Sequence, residues 1–408
     1  MAERPIALDI GYIALPNDPD DRNVTCRSGR SHPGVFHHHQ QSLTTLECLK
    51  TILFATKFNI LLLFIPLGIL AEKLHWSPAT VFTLNFIAII PLAKLLGYAT
   101  EEISMSVGEN IGALLNASFG NAVELILSII ALKEGQIEVV QASVLGSVLS
   151  NLLLVLGFCF VCGGLKYTSQ TFNQTAAQTS ASLLALSCMS LMVPTAFVAT
   201  ADEIDQTANI KHLSYGTSIV LLVVYALYLL FQLKTHTHLY ASENEDEEVP
   251  MLPMWMGIAL LFVVTVAVAI CAEFLVGSIE GLSQSWRISP TFIGLILLPI
   301  VGNAAEHVTA VSVAMKNKMD LAIGVAIGSS MQIALFVTPL MVIIGWVIDQ
   351  PMTLFFNTFE TCILFVAVLI VNYLIQDGES NWLEGVMLLG AYIIIAIAFF
   401  FYPAPTGH

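Results

Sequence analysis

Apolar residues fill long runs of this chain, and short polar stretches separate the runs. Each run has roughly 20 residues or more, the length that an α-helix needs to cross a bilayer. The runs are too uniformly apolar for the alternating pattern of barrel strands. The pattern therefore predicts an all-α polytopic membrane protein. Eleven transmembrane helices are predicted, near residues 53–72, 79–99, 110–132, 139–163, 176–199, 214–233, 254–277, 290–315, 319–347, 353–375 and 382–402.

The spans and the polar segments divide the chain into five parts. A cytoplasmic N-terminal tail is predicted over residues 1–50, with a first transmembrane helix within 51–75. Two units of five helices follow, in 76–233 and 254–408, and a linker at 234–253 joins them. The tail is polar and holds no early apolar segment, so no cleaved signal peptide is expected.

Composition and charge agree with a membrane protein. The chain is 56% hydrophobic and 11% charged, whereas soluble domains carry about 25% charged residues. The net charge of −15 argues against a nucleic-acid partner. The linker carries an acidic run from Glu243 to Glu248, which is either a solvated connection or a surface that attracts cations to a pore mouth.

The distribution of Lys and Arg predicts the orientation. Nine of these residues fall on the side of the N-terminal tail, and four fall on the opposite side. Because basic residues collect on the cytoplasmic side of membrane proteins, the N-terminus and the acidic linker are predicted to be cytoplasmic. With eleven spans the C-terminus then lies on the far side of the membrane.

A short motif occurs twice. GNAVE at residues 120–124 returns as GNAAE at 302–306, a separation of 182 residues (306 − 124). Gly146 and Gly328, each followed by a serine, keep the same separation. With the first helix set aside, each half contains five spans, so the halves enter the membrane from opposite sides. This predicts one extra N-terminal helix and two inverted five-helix repeats, an arrangement that places transporter substrate sites at the bilayer midplane.

The motif carries the chemistry of a site for a hard cation. An acidic residue at membrane depth indicates a functional site, and Ca²⁺ prefers carboxylate and carbonyl oxygens. Glycine allows close backbone approach, and an asparagine three residues before a glutamate shares its helical face. The predicted ligands in the two motifs are Glu124, Glu306, Asn121, Asn303, Gly120 and Gly302. The following span of each half adds the polar side chains of Ser147, Ser150, Ser329 and Gln332.

The same carboxylates predict coupling to protons. An apolar environment disfavours an ionised carboxylate, whereas a bound cation favours it, so protons and Ca²⁺ compete for Glu124 and Glu306. The alternative interpretation of the motif is a patch of small residues that packs membrane helices. Two symmetrically placed carboxylates argue against it, because buried carboxylates are costly.

Four further polar residues allow two interpretations each. Glu101 and Glu102, which close the predicted second span, and Glu273 form either a cation entry or exit station or ordinary interfacial charges. His307 follows Glu306, where the first repeat has Leu125. It either tunes proton release, since histidine titrates near neutrality, or packs between helices.

These motifs resemble the two signature repeats of the calcium/cation antiporter superfamily, and the wording GNAVEL and GNAAEH is similar to its cation/proton exchanger branch. The flanking sequences at residues 116–119 and 323–330 resemble those of fungal vacuolar Ca²⁺/H⁺ exchangers. The resemblance covers about residues 50–402. It implies eleven helices, a vacuolar membrane location and exchange driven by an acidic lumen. Together with the predicted orientation, this makes the C-terminus lumenal. It also implies cation binding by Glu124 and Glu306.

The leading hypothesis is a secondary active antiporter that exchanges Ca²⁺ for H⁺, with no covalent chemistry and no cofactor. A Na⁺/Ca²⁺ exchanger of the same fold and a Mn²⁺/H⁺ exchanger remain alternatives, since oxygen ligands suit Ca²⁺ and Mn²⁺ alike. A cation channel is less favoured because no repeated carbonyl filter sequence is visible. A membrane enzyme is disfavoured because the chain has no HExxH, nucleophile elbow or phosphate loop.

Overall fold

The computed structural model describes residues 57–200, 206–237 and 250–402. All of them belong to one compact unit, Leu43–His408. The predicted N-terminal tail and the acidic run of the linker lie outside the described residues. The structure is mostly helical, which agrees with the predicted all-α class.

The described residues form fourteen α-helices, numbered here in chain order. A 3₁₀ turn at Lys57–Leu63 precedes the first. The first seven are α1 (Phe64–Lys73), α2 (Pro78–Val107), α3 (Glu109–Phe119), α4 (Ala122–Lys133), α5 (Ile137–Gly164), α6 (Gln174–Thr200) and α7 (Gln206–Leu230). The others are α8 (Met254–Gly277), α9 (Ile279–Trp286), α10 (Pro290–Gly302), α11 (Ala304–Ala314), α12 (Met319–Val347), α13 (Thr358–Leu374) and α14 (Trp382–Phe401).

Seven described helices are long and apolar enough to cross a membrane, and α9 with α10, bent by 115°, would make an eighth. A helix lies at each of the eleven predicted spans, but several are too short to qualify alone. The third and eighth predicted spans are each broken into two helices, and α13 has only 17 residues. The count of eleven therefore stays a prediction.

Both breaks lie in the repeated motif. The sequence predicts the third span as one continuous helix. In the structure, one helix ends at Phe119 and the next begins at Ala122. The eighth is interrupted at Asn303. In each case the asparagine leaves helical geometry, with φ −103° and ψ 31° at Asn121 and φ −89° and ψ 6° at Asn303. Glycine before the asparagine permits this local irregularity.

Helices α5 and α12 each contain a wider, π-helical turn, at Ser150–Val155 and Ile333–Val337. The two segments occupy corresponding places in the halves: the first begins at the predicted ligand Ser150, and the second follows the predicted ligand Gln332. A third π-helical segment, Ile293–Leu297, lies in α10 just before Pro299. Proline lacks an amide hydrogen and frees a carbonyl of the preceding turn, which accounts for irregular helix geometry at this place.

Helix α2 is longer than the predicted second span. It begins with Ser77 as N-cap and Pro78 in the first turn, a favourable start for a helix, and it continues to Val107. The prediction that Glu101 and Glu102 close this span is therefore wrong, because both lie inside the last two turns. The amphipathic helix α9 was not predicted, since its eight residues are too polar and too few for a span.

Corresponding helices of the two halves pack against each other. Helix α2 packs along α8, and α6 packs along α13. A two-stranded antiparallel sheet, β1 (Gln170–Thr171) with β2 (Glu379–Ser380), joins the loop after α5 to the loop before α14. The interior between these helices is closely packed, with α5 among the most buried helices, and the motif helices meet there.

Candidate functional site

The two motif glutamates begin the second helix of each broken pair. Glu124 lies in the first turn of α4, and Glu306 lies in the first turn of α11. The amides at a helix N-terminus carry a partial positive charge that favours a nearby carboxylate. The breaks therefore place each carboxyl group where exposed helix-end dipoles partly offset its burial.

The structure brings the two carboxyl groups together from opposite halves. They are close enough for a direct electrostatic interaction. Glu124 is buried, and a Cβ atom placed on Gly302 would lie 2.9 Å from its Oε1, so the glycine of one motif makes room for the glutamate of the other. Oε1 of Glu124 and Oε2 of Glu306 are buried without a hydrogen-bond partner. A buried oxygen without a partner is costly, and such oxygens are suited to receive a cation or a proton.

Asn121 links its own motif to the second repeat. Its Nδ2 donates to Oε1 of Gln332 over 2.7 Å, and its Oδ1 accepts from the Ser329 hydroxyl over 2.9 Å. Ser329 also accepts a hydrogen bond from Nδ2 of Asn151 over 3.0 Å and interacts with the Glu306 carboxyl group. This chain of polar contacts fixes the side chains next to the glutamates, since each donor and acceptor constrains the next.

Asn303 occupies the position that corresponds to Asn121 but has a different environment. It is fully buried, and neither Oδ1 nor Nδ2 has a hydrogen-bond partner. Buried polar side chains are normally paired, so an asparagine with both ends unpaired marks a place where another interaction is expected.

The remaining predicted ligands surround this centre. Ser147 and Ser150 are buried on α5, and the Ser150 hydroxyl lies 3.3 Å from Nε2 of His307. A Cβ atom on Gly120 would lie 3.8 Å from Oε1 of Gln332, so this glycine faces the same cluster. The structure thus places His307 beside the polar residues of α5. Whether it relays protons stays a prediction.

Asn151 was missed by the sequence prediction. It is almost fully buried and donates to Ser329, yet its counterpart in the second repeat is Ile333. Because Asn151 does not recur in the second half, the internal repeat gives no indication of it. Its position next to Ser150 inside an apolar span was the available signal.

The three residues predicted to form a cation entry or exit station differ in their exposure to solvent. Glu101 and Glu273 are exposed on α2 and α8. Glu102 is buried, and its Oε2 accepts a hydrogen bond from the backbone amide of Leu252 over 2.8 Å. That contact ties the end of α2 to the segment that leads into α8. A gating role for these three residues remains a prediction.

The arrangement can bind a hard cation through oxygen atoms. Two carboxylates, amide oxygens and serine hydroxyls converge where two helices are broken, which is the kind of donor set that Ca²⁺ takes. Among the described residues, no group of three or more His, Cys, Asp or Glu side chains is placed to hold a metal. The charge of the site therefore comes from the glutamate pair.

Comparison with known proteins places this geometry in a family. The family described as sodium/calcium exchanger protein matches residues 77–234 and 256–401. A vacuolar calcium ion transporter of Schizosaccharomyces pombe is 52% identical over 365 residues, covering 88% of this chain and 89% of that protein.

Two further relatives agree. A Ca²⁺/H⁺ antiporter of Aphanothece halophytica is 49% identical, with 85% of this chain and 97% of that protein covered. The solved structure of the Ca²⁺/H⁺ antiporter protein YfkE superposes with a TM-score of 0.72 at 38% identity, covering 85% of this chain and 99% of the other. The resemblance seen in the repeated motifs is therefore confirmed, and the chain belongs to the sodium/calcium exchanger protein family.

Proposed function

We propose that this protein is a secondary active antiporter that exchanges Ca²⁺ for H⁺ by alternating access. One observation carries the proposal. Glu124 and Glu306, from the two halves of the chain, lie just after two helix breaks and within electrostatic reach of each other, and each keeps a buried oxygen without a partner. The relatives that match most of the chain are named as calcium transporters and Ca²⁺/H⁺ antiporters.

The proposed site binds Ca²⁺ with Glu124 and Glu306 as the charged ligands. Amide and hydroxyl oxygens complete the coordination, together with water, towards the six to eight oxygens that Ca²⁺ takes. The amide and hydroxyl oxygens come from the side chains of Asn121, Asn303, Ser147, Ser150, Ser329 and Gln332. Gly120 and Gly302 leave room for the backbone to lie close to the site, since a Cβ atom on Gly302 would lie only 2.9 Å from Oε1 of Glu124.

Protons and Ca²⁺ compete for the same two carboxyl groups in this mechanism. When Ca²⁺ leaves, two facing carboxylates repel each other in an apolar interior, and proton uptake relieves the repulsion. The pair is thus neutralised either by the cation or by protons before the site changes sides. An empty, doubly charged site would be the costly state, and this cost favours exchange over leak.

The proposed topology has eleven spans, with α1 as the extra helix and two inverted repeats of five. Its support is the constant offset of 182 residues, which relates the break before Glu124 to the break before Glu306 and the π-helical turn of α5 to that of α12. The bias of Lys and Arg supports a cytoplasmic N-terminus and a lumenal C-terminus. We place the protein in the vacuolar membrane, as the fungal relative is named vacuolar.

A Na⁺/Ca²⁺ exchanger remains the second candidate, because the family is described as sodium/calcium exchanger protein. The site argues against it, since each motif contributes only one carboxylate and several Na⁺ ions would need more anionic ligands. Mn²⁺ is an alternative cargo, because its preferred ligands are also oxygen atoms.

Proteoliposomes test the proposal. The purified protein is reconstituted into vesicles with an acidic interior, and uptake of ⁴⁵Ca²⁺ from outside is compared for the native chain, Glu124→Gln and Glu306→Gln. We expect uptake to require the pH gradient, to ignore an imposed Na⁺ gradient and to fall to background in both variants. The amide keeps the size and an oxygen but removes the charge and the exchangeable proton.

A matched control is Glu134→Gln, which neutralises an exposed carboxylate that follows α4 and should transport like the native chain. Uptake that follows the Na⁺ gradient would favour the sodium exchanger. Uptake that persists in both glutamate variants would contradict the assigned site. Competition by unlabelled Mn²⁺ at concentrations similar to Ca²⁺ would make Mn²⁺ a second cargo.

A further inference from the structure

The last helix, α14, packs on its neighbours in two different ways along its length. In its first half, a Cβ atom on Gly385 would lie 2.7 Å from the backbone oxygen of Gly157, and one on Gly157 would lie 3.0 Å from the Leu389 side chain. Backbones this close require glycine, as in the small-residue interfaces of membrane helices. In its second half, α14 reaches α10 through an edge-on contact of Phe292 with Phe400, whose ring centroids are 5.5 Å apart. The space left between α5, α10 and α14 is a cavity of about 430 Å³.

This cavity, called here the α14 groove, is apolar. Every described residue that lines it is aliphatic or aromatic. The lining consists of Leu154 of α5, Phe292 and Ile300 of α10, and one face of α14 between Tyr392 and Phe401. On that face Ile393 and Ile397, four positions apart, are each more than half exposed. The groove therefore opens on the outer surface of the helix bundle, where a membrane protein meets lipid.

The length of the groove matches one leaflet of a bilayer. Helix α14 has 20 residues and is apolar enough to cross a membrane; Tyr392 lies at its middle and Phe401 at its end. The helix rises about 13 Å between these two residues. Half of the hydrocarbon core of a bilayer is about 15 Å thick. The groove thus runs from the bilayer midplane to one interface, a depth at which water is excluded and acyl chains are the surrounding molecules.

We propose that the α14 groove binds one acyl chain of a membrane lipid, with the chain end beside Leu154 and Ile300 and the headgroup beyond Phe401. Because no described residue of the lining is charged, the groove recognises the chain and not the headgroup. A sterol fits less well, since its rigid rings would lie near the interface, where Phe292 and Phe400 already join α10 to α14. The inference uses the proposed topology, in which α10 and α14 are spans, and goes beyond the proposed antiporter function.

The inner end of the groove lies next to the proposed Ca²⁺ site. The hydroxyl of Tyr392 is buried without a well-formed hydrogen bond, yet it is close enough to the Ser150 side chain to interact with it. Leu154 belongs to the π-helical turn that begins at Ser150, and Ile300 lies two residues before Gly302. A chain that covers the ring of Tyr392 restricts the movement of this side chain. The bound lipid therefore helps to keep Ser150 in place beside the site.

Photolabelling in vesicles tests the assignment. The full chain is reconstituted into phosphatidylcholine vesicles that contain a small fraction of phosphatidylcholine with a diazirine at the end of one acyl chain. Labelled residues are then identified by mass spectrometry. Leu154 and Ile300 should be labelled more strongly than Val266, an exposed residue at the middle of α8. We expect a ratio of about tenfold, because burial of about two additional methylene groups gives a preference of this size.

Variants that fill the groove provide the decisive comparison. Ala396 lines the groove, so the ring of Ala396→Phe would occupy the space of the chain. Labelling of the two groove residues should then fall about tenfold, to the level of the α8 surface. Ile397→Trp fills the groove from its exposed rim and should give the same result without a change at a partly buried position. The matched control is Ala398→Phe, the same substitution on the same helix at a residue outside the lining, which should label like the native chain.

Three results would overturn the inference. Equal labelling of the groove residues and Val266 in the native chain would make the groove an ordinary lipid-facing surface. Labelling that persists in both filled variants would place the chain elsewhere. A photoreactive sterol that labels Leu154 and Ile300 more strongly than the lipid does would make a sterol the occupant. Phosphatidylglycerol with the same photoreactive chain should label these residues as strongly as phosphatidylcholine, because the groove recognises the chain.

A separate measurement tests the link between the groove and the ion site. The protein is purified in a steroid-based detergent, which has no alkyl chain, and the half-saturating Ca²⁺ concentration for thermal stabilisation is measured before and after addition of phosphatidylcholine. Lipid should lower this concentration about fivefold in the native chain and in Ala398→Phe, the effect of one well-placed hydrogen bond. Ala396→Phe, whose groove is already filled, should not respond. A lipid effect that persists in Ala396→Phe would contradict the link. A native chain that Ca²⁺ never stabilises would reject the proposed function and leave the photolabelling result unchanged.

Discussion

At the scale of single residues, the site depends on glycines as much as on glutamates. A Cβ atom on Gly302 would crowd the Glu124 carboxyl group, so the glycine in the motif of one repeat leaves room for the ligand of the other. The glutamate oxygens without partners and the unpaired Asn303 show where interaction energy remains to be gained. Ligand binding would satisfy these groups, which is the physical basis of the assigned site.

Gly302→Ala should separate the geometry of the site from the stability of the fold. The added Cβ would meet the tip of the Glu124 side chain at 2.9 Å and displace it, because the surrounding backbone is fixed. We expect thermal stability to change little and the half-saturating Ca²⁺ concentration in ⁴⁵Ca²⁺ uptake to rise about tenfold. Gly390→Ala, where the Cβ meets nothing within 4 Å, serves as control. An unchanged Ca²⁺ response would mean that Glu124 can bind the cation from another position.

Sequence alone could predict the site residues that occur in both repeats. It could not predict the residues and hydrogen bonds that differ between the repeats. The repeated motif identified Glu124 and Glu306 because each half carries the same residue at the same place. The hydrogen bonds of Asn121 to Ser329 and Gln332, in contrast, depend on how the halves meet, and periodicity holds no information about that contact. Asn151 has no polar counterpart, so a search for repeated residues could not select it.

At the scale of elements, the two helix breaks position the motif glutamates, and one hydrogen bond joins the end of α2 to the segment before α8. The apolar pattern predicted where helices lie but placed the end of α2 too early, because it stopped at charged residues. Glu102 continues that helix because its carboxylate is satisfied by the Leu252 amide. Hydropathy did not reveal the breaks at Asn121 and Asn303 either, since both motifs lie within long, largely apolar runs.

Glu102→Ala tests whether this contact is structural. Loss of a charged acceptor for a buried amide should destabilise the fold by about 1.5–3 kcal/mol, measured as a lower thermal unfolding temperature in detergent. Glu102→Gln keeps an oxygen at the same place and should recover most of the stability, with Ca²⁺ uptake retained. If Glu102→Gln is stable but inactive, the carboxylate itself takes part in ion passage, as the sequence analysis allowed.

At the scale of the whole molecule, binding and folding are linked. The two glutamates belong to different halves, so a cation held between them joins the halves and favours the folded protein. A ligand that binds only the folded state stabilises it by about 2.7 kcal/mol at a concentration one hundred times its Kd. Protons that occupy the same carboxyl groups should weaken this effect.

Ca²⁺ should therefore raise the unfolding temperature of the native chain at neutral pH. The increase should shrink as the pH falls, because protonated carboxyl groups no longer attract the cation. The Glu124→Gln/Glu306→Gln double variant should show no increase at any pH, and Glu134→Gln should behave like the native chain. A thermal-shift measurement across Ca²⁺ concentration and pH decides the matter. An increase that survives in the double variant would place the stabilising cation elsewhere.

The single hydrogen bond from Asn151 to Ser329 also implies a resting bias. The side chain of its counterpart Ile333 has no donor, so a conformation in which the second repeat made the contacts of the first would lack this bond. A bond worth about 1 kcal/mol corresponds to about a fivefold excess of one conformation over the other. Without any ion gradient, the unloaded carrier would then wait with its site turned to one compartment. Turnover that begins from that compartment would start sooner. The two directions of transport would therefore differ in their initial rate, although the two halves of the protein are related by duplication.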